Sequence, residues 1–417
     1  MSKERINEWA LLRGFAFLAV VMQHSIGEYI YRSGIIQADS IMLGMLYHFT
    51  RFGTLTFVFL AGAILFYQYG DGRPYRSVIF RRIGDIYIPF VVWTIIYWIV
   101  MQWIFKVPLL RADSVQDIVG QLFAPTNGYH LWFVIMIFQF YLLFPLFRWL
   151  GKQFGTHVLA HRSSKQQQQR IIIMLVVIGI VYGWIMWLCY YAMPTWTVEG
   201  IWKIALEHRT SEFIFYFFYF VLGGICGSAI QRWRAVMLKI LPWTALAFGI
   251  MYICLGYDLL RFDPVAINLN VSTYLKPTTF IAVVSHMLLM YGLALILVER
   301  KGVIVRFLQW CGRYSFGGYL SHALILMGVS YFTRQITMPG LNLIMTILTF
   351  MVVAPTAIAL TSFLSRLPGG QWLTGSAGKK ANRLSLLMPP DLHPHYLKTP
   401  KQTKPLCSLY SENVAVF

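Results

Sequence analysis

The chain is 417 residues long, 58% hydrophobic, 17% aromatic and only 12% charged, against about 25% charged in a soluble domain. A mean hydropathy of +0.60 over that length excludes a soluble enzyme, because the excess apolar surface has to face lipid. The net charge of +19 would suit a nucleic-acid partner, but the basic residues are scattered over many short segments and no such partner is expected. The lipid bilayer is the expected surrounding.

Stretches of the roughly 20 apolar residues that cross a bilayer recur at 9–31, 45–69, 84–105, 130–148, 171–192, 211–230, 240–257, 277–298, 314–333 and 341–364. The expected fold is an all-α polytopic membrane protein of about ten transmembrane helices. The first stretch is too long for a signal peptide, no A-x-A-like site follows it, and more spans come after. With the N-terminus inside, 26 of the 35 Lys and Arg fall in inside segments and 9 in outside ones, so both termini are expected in the cytoplasm. Between the fourth and fifth spans, 149–170 with its RSSKQQQQR run reads as a solvated cytoplasmic loop. Residues 1–365 form the expected membrane domain, and 366–417 a basic, Pro-containing cytoplasmic tail without a fold of its own. The cysteines are scattered, with no CxxC and no His at zinc spacing, so no metal site is expected.

Ionisable side chains inside a span are costly and mark candidate function. The first span holds Arg13, His24 and Glu28 in RGFAFLAVVMQHSIGE. Arg13 and His24 are eleven residues apart, within about 20° of three full turns, so they share a face about 16 Å apart along the axis. Arg13 then lies near the cytoplasmic boundary and His24 in the outer half. Glu28, one turn beyond His24, is placed to hold the imidazole's other nitrogen. Taken singly, Arg13 reads as a snorkelling anchor, His24 as a packing residue and Glu28 as a solvated interfacial group. The pairing of Arg13 with His24 on one face carries the functional reading. At the outer ends of other spans stand His48, Arg51, His130 and Trp132. Tyr319 and His322 share a face of the ninth span, with His322 in mid-span. Lys276 reads as an anchor.

The Arg13–His24 pattern resembles the signature of acyltransferase family 3, bacterial membrane enzymes that O-acylate sugars and cell-envelope polymers. TFVFLAGAIL (56–65) is similar to the family's FFVLSGFL motif, FRRIGDIYIPF (80–90) to its basic approach to the third span, HLWFVIMIFQFYLLFP (130–145) to its HLWFL segment, and SFGGYLSHALIL (315–326) to its SYGIYLIH segment. The resemblance covers roughly residues 5–365. Ala61 stands where the family often has Ser, and Asp85 where a further Arg is common. No extracellular hydrolase-like domain, present in some relatives, is expected.

The resemblance implies a multi-pass protein of the bacterial cytoplasmic membrane that takes an acyl group, acetyl or similar, from acyl-coenzyme A to a hydroxyl of a carbohydrate or lipid-linked sugar. Acyl-coenzyme A would be a substrate, and no bound cofactor is expected. Removing a hydroxyl proton at neutral pH suits His, so His24 is the expected catalytic residue, as base or as transient acyl carrier, with Arg13 and Glu28 beside it. Arg81 and Arg82 are the expected donor phosphate ligands, by virtue of the forked guanidinium. Arg51, His130, Trp132, Tyr319 and His322 are the expected acceptor-binding or supporting residues. The rival is a secondary transporter or polysaccharide exporter; against it, the halves do not repeat and no broken spans match in position.

Overall fold

The computed structural model describes residues 6–69, 74–262, 269, 273–300, 302–336 and 340–377, and among them there is no strand. Helix α1 is Asn7–Tyr29. Helices α2 (Gln37–Thr50) and α3 (Phe52–Tyr69) follow as one apolar run interrupted at Arg51. Helix α4 (Tyr75–Arg82) passes through a π-turn at Ile83–Tyr87 into α5 (Ile88–Ile104). After the short α6 (Ser114–Phe123), a 3-10 turn at Tyr129–Leu131 opens α7 (Trp132–Phe154), which ends in a second π-turn at Gly155–Leu159. Then come α8 (Ser164–Trp187), α9 (Gly200–Glu207), α10 (Phe217–Ser228) and α11 (Ile230–Phe262). The chain continues with α12 (Pro277–Val298), α13 (Val303–Thr333), α14 (Asn342–Leu364) and the single turn α15 (Gln371–Thr374).

Eight helical segments are long and apolar enough to cross a membrane. All ten stretches expected from the sequence fall on helices, but 211–230 and 314–333 lie outside those eight. Helix α10 has 12 residues, about 18 Å of rise against a hydrocarbon core of about 30 Å. Helix α13 has 31 residues, but Tyr314, Ser315, Tyr319, Ser321, His322 and Ser330 dilute the apolar character of its 314–333 stretch. Length and composition alone therefore mark eight candidate spans among the described residues, and α10 and α13 are the two expected stretches that they do not mark.

Two expectations are corrected. The RSSKQQQQR run is the start of α8 rather than a loop: the Ser163 hydroxyl accepts from the Gln166 backbone N–H at 3.4 Å, and the Ser163 N–H donates to Gln166 Oε1 at 3.2 Å. This reciprocal cap satisfies two of the open N–H groups at the helix start. The tail expected to be unfolded from 366 carries α15, and the Trp93 indole N–H donates to the Leu373 carbonyl at 3.0 Å. Residues 378–417 of that tail lie outside the described residues.

Helix α1 is the centre of the bundle. Its apolar window is 67% buried, against 11% for α8 and for α11, whose exposed Ile173, Ile180, Trp184, Ile250 and Ile253 face lipid. Helices α3, α12, α13 and α14 surround α1. Helix α13 runs beside it in the same direction, with Gly14 against Leu308, His24 against His322, and Glu28 bonded to Arg334. A side chain on Gly312 would collide with the Ala10 carbonyl, and one on Gly14 with that of Leu308. Small residues here let two backbones meet, the usual packing device where lipid supplies no hydrophobic drive. Gly312→Leu is therefore expected to destabilise the fold by about 2 kcal/mol and to lower the unfolding temperature in a size-exclusion thermal scan. An unchanged melting curve would show that α1 and α13 are not in backbone contact.

Candidate active site

Three elements deliver one histidine each to the same place. His24 comes from the second-to-last turn of the central α1, His130 from the 3-10 turn that opens α7, and His322 from the middle of α13. Ring centroids lie 5.1 Å apart for His24 and His322, 4.8 Å for His130 and His322, and 6.3 Å for His24 and His130. His130 and His322 are buried, while His24 keeps part of its ring accessible.

Hydrogen bonds set the roles of these rings. His322 Nδ1 donates to the Tyr319 carbonyl at 2.6 Å, leaving Nε2 as an unpartnered lone pair facing the cluster in the neutral ring. The Tyr319 hydroxyl donates to the His130 carbonyl, tying α13 to the start of α7. Neither ring nitrogen of the buried His130 has a partner. His24 Nδ1 lies 3.1 Å from the Tyr129 hydroxyl. When Nδ1–H donates there, Nε2 presents its lone pair and is the basic atom. The Tyr97 hydroxyl inserts at one step of α13, donating to the Leu320 carbonyl at 2.9 Å and accepting from the Leu324 N–H at 3.0 Å. Tyr97 thus braces the helix turn that carries His322.

At the other end of α1 a basic cluster forms on the Tyr141 ring. The Arg82 guanidinium stands 5.2 Å from its centroid, and the charges of Arg13, Arg82 and Asp85 all act on it. Arg82 Nε is buried without a partner. The π-turn after α4 brings Arg82 inward while Arg81 stays exposed, 3.5 Å from Asp85. One side of α1 therefore joins a cationic cluster suited to phosphate to a histidine cluster about three turns away.

The match with known families agrees with this arrangement. Residues 6–366 fit the profile of acyltransferase family 3, an acyltransferase domain. The chain belongs to acyltransferase family 3. It is a membrane acyltransferase. No curated protein and no solved structure matches the chain.

The remaining residues of this acyltransferase divide into those near the histidines and those apart from them. Glu28 does not hold the imidazole of His24. Its carboxylate takes Arg334 at 2.7 and 2.9 Å and Arg32 at 3.1 Å. Two guanidinium groups outcompete a neutral ring for a carboxylate, and Tyr129 fills the place that spacing alone assigned to Glu28. Glu28→Gln is accordingly expected to lower thermal stability while keeping turnover within about threefold of wild type, since charge-assisted pairs of this type contribute roughly 1–3 kcal/mol. A turnover loss above a hundredfold at unchanged stability would return Glu28 to the chemistry.

Trp132 packs against Tyr216 and Phe133, with centroids 5.9 and 6.1 Å away, rather than against the histidine rings. Arg51 is buried at the α2–α3 break, its guanidinium 4.6 Å from the Tyr47 ring and 4.3 Å from the Tyr274 ring. The Tyr274 hydroxyl reaches Thr54 at 3.2 Å and Gln23, the neighbour of His24, at 3.3 Å. Beside Arg51, buried His48 has two unpartnered ring nitrogens and feels the charges of Arg51, Lys276 and Asp258. Lys276, expected as an anchor, is buried and bonded to Asp258 at 2.7 Å. Sequence reasoning missed His286, a mid-helix ionisable residue that the same rule would have flagged. It stacks on Phe248 at 3.9 Å between Phe49 and Phe52, inside an aromatic cage. Among the described residues no three ligating side chains are grouped to hold a metal ion.

Proposed function

We propose that this acyltransferase is an O-acyltransferase of the bacterial cytoplasmic membrane. It takes an acyl group from acyl-coenzyme A at the Arg13–Arg82 end and passes it to a sugar hydroxyl at the His24 end. The observation that carries this reading is the partly open His24 ring, steadied by Tyr129, on the same helix as Arg13, whose cluster includes Arg82 of α4 with its buried, unpartnered Nε. The distribution of Lys and Arg favours the Arg13 end as cytoplasmic, where coenzyme A thioesters are made.

The chemistry balances by either of two routes. In direct transfer His24 takes the acceptor hydroxyl proton, the oxygen attacks the thioester carbonyl, and the C–S bond breaks. The departing thiolate then receives the proton from His24. In the two-step route the neutral ring attacks the thioester and releases the thiol, and the acyl-imidazole passes its acyl group to the hydroxyl. His322 Nε2 and the ring of His130 supply polar partners near the developing charge. Arg51, His48 and Lys276 offer hydrogen bonds and charge to a carbohydrate or lipid-linked sugar on the same side.

The test supplies purified protein with acetyl- and succinyl-coenzyme A labelled in the acyl group, together with a bacterial envelope sugar extract. Label in the carbohydrate fraction is the expected result. Failure to consume either donor, with folded protein and any extract, would favour a secondary transporter or polysaccharide exporter instead.

A further inference from the structure

A second feature lies away from α1, at the end of the bundle shared with Arg13. Helix α7 starts at the histidine cluster, passes Tyr141 beside Arg13, and ends at Phe154. There its terminal π-turn and the start of α8 enclose a lateral cleft of about 560 Å³, within the size range of small-molecule sites.

The cleft has a polarity gradient along its length. Its upper rim is Arg162, Gln166 and Arg170, all exposed. One to two turns deeper on the same face of α8 the lining becomes Ile173 and Val177, with Phe154 of α7 opposite. From Gln166 to Val177 is eleven residues, about 16 Å of helix. Ile173 and Val177 are 61% and 53% exposed, so this part of the cleft opens sideways to the hydrocarbon rather than to water. None of the described side chains lining it is acidic.

We propose that this cleft binds one anionic phospholipid of the surrounding bilayer, its phosphate on Arg162 and Arg170 and an acyl chain along Ile173 and Val177 toward Phe154. Charge complementarity selects the headgroup, because forked guanidinium groups pair with phosphate oxygens. The gradient from guanidinium and amide to aliphatic side chain over about three turns follows the change from headgroup to hydrocarbon across one leaflet. A coenzyme A thioester fits less well: its polar adenosine and phosphate portion would leave the apolar, lipid-facing half of the cleft unfilled.

The experiment uses the full chain in nanodiscs of phosphatidylcholine carrying rising fractions of phosphatidylglycerol. Thermal unfolding and native mass spectrometry of retained lipid are the two readouts. Wild type is expected to retain phosphatidylglycerol over phosphatidylcholine by roughly ten- to thirtyfold, the factor two juxtaposed cations give, and to unfold at higher temperature as its fraction rises. The double variant Arg162→Gln, Arg170→Gln should lose both effects while unfolding normally in pure phosphatidylcholine. The variant Arg300→Gln, Arg306→Gln, which removes two cations from the same end outside the cleft, should keep them. Equal retention of the two lipids by wild type, or equal losses in both double variants, would overturn the proposal.

Discussion

His24→Ala is expected to reduce acyl transfer by about a thousandfold, in the middle of the range for losing a positioned acid–base group, with little change in folding. His24 sits on the central helix, yet its ring is partly accessible, and among the described residues its side-chain hydrogen bond is to Tyr129. Removal of the ring therefore costs the fold one bond but costs the reaction its base or carrier. The same geometry separates His24 from its neighbours. Tyr129→Phe keeps the ring in place and removes only the hydroxyl 3.1 Å from Nδ1, so a loss of about tenfold is expected, comparable with one neutral hydrogen bond. Steady-state transfer of labelled acyl groups by folded, monodisperse protein decides both. Transfer surviving in His24→Ala would remove His24 from the chemistry under either route.

Arg82→Ala and Arg81→Ala are expected to behave differently although the residues are adjacent. The π-turn at Ile83–Tyr87 follows Arg82 directly, and Arg82 lies over Tyr141 in the cluster that includes Arg13. Arg81 is exposed beside Asp85. A guanidinium that binds a donor phosphate contributes about 1.5–3 kcal/mol, so Arg82→Ala should raise KM for acyl-coenzyme A by at least about tenfold. Arg81→Ala should stay within about threefold, as exposed pairs contribute little. Initial rates against donor concentration give both values. Equal KM values in the two variants would dissociate the cluster on Tyr141 from donor binding.

The sequence made the helical membrane class legible because composition and 20-residue apolar runs depend on local chemistry alone. It also placed Arg13 and His24 on one face, since helix periodicity converts spacing into direction. What it could not convey was which distant segments meet. His130 and His322 reach His24 from other helices, and no local pattern records that approach. The Glu28 assignment failed for an instructive reason: spacing of four brings Glu28 near His24, but the same spacing brings Arg32 near Glu28, and the charged partner prevails. Arg334, 306 residues away in sequence, completes that clamp. Nor does the sequence convey how the short apolar helix α10 is held, which is by packing against α3. Gly223 shows how: a Cβ there would strike the Phe59 carbonyl, so α10 and α3 touch through their backbones.

In the proposed reaction, donor and acceptor meet at His24 from opposite ends of α1. The most direct test reconstitutes the protein in proteoliposomes of known orientation, with labelled acyl-coenzyme A confined to the Arg13 side and the envelope sugar acceptor confined to the other. Labelled sugar on the His24 side, absent in His24→Ala, is the predicted result. Transfer occurring only when donor and acceptor share one compartment would contradict it.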